Sequence, residues 1–214
     1  MIKHKIKTSI LGLVLLSIYS IAYAADPFAG MYQEIRPAQP THSGNKIEVV
    51  EIFWYGCPHC YHFEPYLNKW LATAPDDVAF RRMPGILGSS WTPHARAFYT
   101  AQKMGILDQI HEPLFEAIHK EGKRIFNDET LKKFIVDTTG VDGDEFTRIF
   151  DSKEIDIKMR QALISEQKYK ITGVPSIIIN GKYLTNGTLA RSYENLIKVI
   201  DHLVNVERQQ LAKK

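Results

Sequence analysis

The chain has 214 residues, with 27 Lys and Arg against 24 Asp and Glu, eight histidines and two cysteines. Three of the lysines and none of the acids fall in the first 24 residues, so the remainder carries 24 of each and is formally neutral. Neutrality without a basic face argues against a nucleic-acid binder. Two cysteines exclude a disulfide-rich scaffold, and a mature chain of this length can bury a core without covalent staples.

The N-terminus reads MIKHKIK, then the apolar ILGLVLLSIYSIAYA, and ends on Ala22-Tyr23-Ala24. A basic start, an apolar middle and small residues at the cleavage positions form a secretory signal peptide, expected to be cut after Ala24. Its apolar run of about 15 residues is shorter than the roughly 20 that a spanning helix needs. Export places both cysteines in an oxidising compartment, where a disulfide persists.

Residues 25–44 are rich in proline, glycine and polar residues and read as an irregular arm. KIEVVEIFWYG follows, a β-branched and aromatic run that predicts a buried strand. A helix is expected over 58–71, opening on Pro58 and carrying Pro65 inside it. A second strand is expected over 78–83. From 88 to 162 strand signals vanish: helices are expected from Thr92 to Gly105, through ILDQIHEPLFEAIHK, from the Asn127 cap to Gly140, over 146–150, and from Ser152 to Lys170. The last of these is expected to bury Ile155, Met159, Ala162, Leu163 and Ile164. VPSIIINGKYL then predicts a hairpin about Asn180-Gly181, and a final helix starts near Tyr193. Strand, helix, strand, a helical block, a strand pair and a helix imply one α/β sheet domain interrupted by an inserted all-helical domain. Its parts are 25–87 and 163–214, with the insert over 88–162.

Both cysteines lie in GCPHCYHFEP, at Cys57 and Cys60. A structural zinc site commonly takes two ligand pairs from separate segments. Adjacent His59 and Cys60 do not face one site on a helix, and the remaining histidines are single and expected at the surface. A structural staple across three residues restricts the unfolded chain little. A cysteine at a helix start, by contrast, meets unpaired N–H groups and the positive end of the helix dipole. Both favour the thiolate, the nucleophile of thiol–disulfide exchange. Cys60, one turn further in, is placed to attack a mixed disulfide. No metal and no cofactor is expected.

CPHC after EIFWYG behind an export signal, with TGVPSIIINGKY some 115 residues later, resembles the DsbA family of periplasmic thiol–disulfide oxidases. The resemblance covers nearly all of the mature chain and implies a thioredoxin fold. It implies Cys57 as the substrate-linked sulfur, Cys60 as the resolving one, and Pro58 and His59 as the dipeptide that tunes them. It also implies Pro175 as a cis-proline facing the dithiol, with Val174 before it, where an extended substrate could pair. Glu51 reads either as a solvent-facing residue or as an acid beneath the site that moves a proton to or from Cys60; the family pattern implies the buried form. Trp54, Tyr55 and Trp91 read either as a border of a substrate groove or as packing. The implied partners are reduced exported proteins and a DsbB-type membrane quinone reductase, through which alone the chain would meet the inner membrane. Two alternatives stay open: a reductase or isomerase of the same fold, and a non-catalytic peptide-binding module.

Overall fold

The computed structural model describes residues 26–213, so the signal peptide expected over 1–24 lies outside the described residues. Five strands form one sheet in the order β1-β5-β4-β2-β3: β1 (Gln33–Glu34), β2 (Ile47–Phe53), β3 (Val78–Pro84), β4 (Ser176–Ile179) and β5 (Tyr183–Asn186). β2 runs parallel to β3 and antiparallel to β4, pairing Glu51 with Arg82 on one side and with Ile177 on the other. Every residue of β2 is buried, as a central strand covered on both faces requires.

Period-2 alternation sends the side chains of β2 to two cores. Ile47 and Val49 meet Phe63 and Leu67 of α1 (Pro58–Leu71) and Leu196, Val199 and Leu203 of α8 (Tyr193–Leu211). Val50 and Ile52 meet Met83, and Ala162 and Tyr169 of α6 (Lys153–Tyr169). Between β3 and β4 come α2 (Thr92–Met104), α3 (Leu107–His119), α4 (Asp128–Thr139) and α5 (Gly143–Phe150), then α6. The first four share an apolar cluster built on Phe98, Leu114, Phe115, Leu131 and Phe146. Phe53, Tyr55, Cys57 and Cys60 belong to that same cluster, so the helical block packs directly on the end of β2 that leads into the cysteines. The fold is a thioredoxin-type α/β sheet with a helical insertion.

Three expectations need correction. The arm is not wholly irregular: its residues Gln33 and Glu34 add an edge strand to β5. A two-residue strand carries no periodicity, and only its partner makes it one. α6 buries Ile155, Met159, Ala162, Glu166 and Tyr169, whereas Leu163 and Ile164 are 38% and 52% exposed. The buried set follows helical spacing, and Glu166 is tolerated there because its carboxylate accepts from the Ile86 N–H. α7 (Gly187–Ala190), capped by the Asn186 side chain, is a further short helix that no sequence signal announced. The hairpin turn does form at Asn180-Gly181, both with positive φ, as a type I′ turn demands.

Candidate active site: a dithiol at a helix start

Cys57 is the N-cap of α1 in an extended conformation, with Pro58 at the first helical position. Its N–H bonds the Trp54 carbonyl at 2.9 Å, and its own carbonyl accepts from Tyr61 N–H, the first bond of the helix. The Cys57 thiol is pulled down from 9.0 to about 6: the Cys60 thiol donates to it, burial opposes, and the N–H groups of Cys60 and His59 and the field of His59 assist. Cys60 is fully buried, and its thiol is pushed up by burial, then by the neighbouring Cys57 and by the charge of Glu51. Two thiols of one motif thus differ strongly in acidity because one caps a helix and the other lies inside it. His62 points to solvent, and so do Pro58 and His59.

The Val174–Pro175 peptide is cis, and the Val174 carbonyl lies 3.5 Å from Cys57 Sγ. Beside it opens a cavity of about 830 Å³ lined by His59, Gly173, Val174, Pro175, Leu189 and Tyr193, among others. Tyr193, at the start of α8, donates its hydroxyl to the His59 carbonyl at 3.0 Å and so joins the far helix to the active-site turn.

Glu51 is fully buried in β2. Its Oε2 accepts from Arg82 Nε at 3.1 Å, while Oε1 has no partner among the described residues. Burial, aided by the nearby charge of Glu64, raises its pKa against the pull of Arg82. Arg82 also reaches Glu64 through Nη2 at 2.8 Å. Of the aromatics, Tyr55 is fully buried, and Trp54 stacks on Trp91 with centroids 4.4 Å apart and rings 3° from parallel. They pack; none of the three lines the cavity beside Pro175.

Several residues here had no sequence signal. The lone histidines expected at the surface include His94, which is 1% exposed, and His111 and His119, which bond inside. Burial pushes the His94 pKa down to about 4, and Nε2 meets the Ile125 carbonyl at 2.6 Å. His119 reaches the Tyr55 carbonyl at 2.7 Å and stacks on Tyr61. Arg82, Glu64, His111, His119 and Tyr193 come from four different helices and strands, with nothing in their spacing to join them.

A thioredoxin-type sheet whose central strand feeds a helix-capping CxxC motif, opposite a cis-proline, defines a thiol:disulfide oxidoreductase. The model of the DSBA-like thioredoxin domain matches residues 74–200. The thiol:disulfide interchange protein DsbA of Pseudomonas syringae pv. tomato is 41% identical over 200 residues, covering 92% of this chain and 93% of that protein. Its counterpart from Azotobacter vinelandii is 40% identical over 177 residues, covering 83% and 82%. The crystal structure of Pseudomonas aeruginosa DsbA superposes with a TM-score of 0.81 at 39% identity, covering 87% of this chain and 96% of that one. The chain belongs to the DsbA family.

Proposed function

We propose that the protein works as an oxidase, donating a Cys57–Cys60 disulfide to reduced exported proteins. The carrying observation is the placement of the two sulfurs, Cys57 at the cap of α1 facing the Val174 carbonyl and Cys60 fully buried one turn in, which pulls the first thiol down and pushes the second up. A substrate thiolate attacks Cys57 Sγ, the S–S bond breaks, and Cys60 leaves with the electron pair. Buried Cys60 needs a proton at that moment, and the Glu51 carboxyl supplies it. A second substrate thiolate then attacks the substrate sulfur of the mixed disulfide, and Cys57 leaves as a thiolate. The substrate loses two electrons and the protein gains them. A low-pKa leaving thiol departs faster, and a helix-stabilised thiolate makes the folded disulfide a stronger oxidant.

The Val174 carbonyl and cis-Pro175 would pair with an extended substrate as an added strand, which suits many sequences because backbone groups do the recognising. Pro58 and His59 tune the thiolate between the cysteines. The basic and apolar leader supports export to the periplasm with cleavage after Ala24. The family supports a DsbB-type membrane quinone reductase as the partner that restores the disulfide. Residues 25–87 and 163–214 form the thioredoxin-fold unit and 88–162 the helical insert, α6 running through the second boundary.

Equilibration with a glutathione buffer series tests the direction. A potential above about −180 mV supports an oxidase; one near −270 mV, in the range of a thioredoxin-type reductant, overturns it.

A further inference from the structure

Glu51 on β2 and Glu64 on α1 accept from two nitrogens, Nε and Nη2, of one guanidinium, that of Arg82 on β3. A single cation cannot balance two buried carboxylates, and acids sharing a site are forced to hold a proton between them. The neighbours decide which one holds it. Glu64 Oε1 faces His111 Nε2 at 3.3 Å, and His111 Nδ1 faces the Tyr55 hydroxyl at 2.9 Å.

The chain of donors has one consistent direction. Burial keeps the Tyr55 phenol protonated and holds the His111 pKa down, although Glu64 and Asp108 pull it up and Arg82 adds to the depression. A neutral imidazole has one N–H and one acceptor nitrogen. Tyr55 O–H donating to Nδ1 leaves the N–H on Nε2, aimed at Glu64. Glu64 then receives a donor on each oxygen, from His111 and from Arg82. Glu51 receives one on Oε2 and, among the described residues, none on Oε1. Asn68, also on α1, takes only a further Arg82 N–H, at 3.3 Å.

We propose that His111, oriented by Tyr55, is a positioning residue of the exchange reaction: it fixes the shared negative charge on Glu64 and thereby leaves the transferable proton on Glu51. The inference rests on the proposed role of Glu51 toward Cys60. When Cys60 leaves with its electron pair, the Glu51 proton passes to that sulfur and the new carboxylate stays beside Arg82 Nε. Reoxidation reverses the transfer. His111 touches neither sulfur; it acts from α3 of the helical block on a proton held in the sheet.

Carboxyl ¹³C NMR titration of the full mature chain tests this, alongside the pH profile of disulfide reduction. In the oxidised form of the unaltered protein, where Cys60 has no proton to share, Glu64 is ionised and Glu51 protonated through neutral pH. In H111F the Glu51 midpoint falls by about one pH unit or more and that of Glu64 rises. H111Q, which keeps an N–H toward Glu64, restores the original order. Midpoints unchanged in H111F overturn the proposal. Should H111F fail to fold, imidazole ¹⁵N shifts of the unaltered protein decide: an Nδ1–H tautomer or an imidazolium at neutral pH overturns it. An E51Q variant whose reduction profile matches the unaltered protein removes instead the proton-transfer role of Glu51, with the Glu51 and Glu64 midpoints still readable on their own.

Discussion

Cys57 and Cys60 differ in exposure by only a few per cent, 8% against 0%, yet their thiols move in opposite directions. The difference is position: Cys57, at the helix start, has its charge held first by the Cys60 thiol and then by the nearby N–H groups of Cys60 and His59, while Cys60 lies against the core. Alkylation should therefore report Cys57 alone, its rate rising through a midpoint near pH 6. A midpoint near 9 would remove the stabilised thiolate. Cys60→Ala should accumulate reducible adducts with exported proteins through Cys57, while Cys57→Ala accumulates almost none; equal trapping by both would reverse or cancel the assigned roles. At this scale the cysteine pair stood out by motif and spacing, whereas the cis peptide at Pro175 and the burial of Glu51 were implied only by the family resemblance. His111, His119 and Arg82 were not legible, since a single histidine or arginine far along the chain has the same sequence signature inside or outside.

The turn from β2 into α1 is held from several elements. His119 grips the Tyr55 backbone, His111 its hydroxyl, and Trp91 stacks on Trp54. Gly56 sits under that stack: a Cβ there would lie 2.3 Å from Trp54 ring carbon, and the indole is already against Trp91. Gly56→Ala should cost about 1–3 kcal/mol in urea unfolding, as overpacking does. Gly88→Ala, whose Cβ would meet Trp91 at an ordinary 3.6 Å, should stay within about 0.5 kcal/mol. Equal stabilities of the two variants would show that the stack yields freely. Pro58 at the start of α1, the Asn127 cap of α4 and the apolar spacing of α8 made those helices legible, as did Asn180-Gly181 for the hairpin. β1, and the apolar face of α6, depended on what packs against them.

Across the whole molecule, the thiolate of Cys57 links redox state to stability. Folding lowers its pKa from 9.0 to about 6, so it contributes stability that is complete above 9.0 and is lost as pH falls through about 6. At pH 7 this amounts to about 1.4 kcal/mol for the reduced form, and near pH 8.5 to about 3 kcal/mol. The oxidised form lacks it. Against this, closing so short a loop stabilises the disulfide form by about 2 kcal/mol. The two effects nearly balance at neutral pH, and alkaline conditions favour the reduced protein.

Thermal unfolding of both forms from pH 5 to 8.5, the reduced one under excess thiol, tests the oxidising thiolate most directly. Titrating groups away from the site are common to both forms, so the difference between the two melting temperatures reports the dithiol together with the Glu51 carboxyl beside it. The oxidised protein should melt higher at pH 5. The reduced protein should gain on it by about 6–12 °C across the range and overtake it a little above pH 7. A difference that stays constant with pH, the oxidised form melting higher throughout, would contradict the stabilised Cys57 thiolate and with it the oxidase.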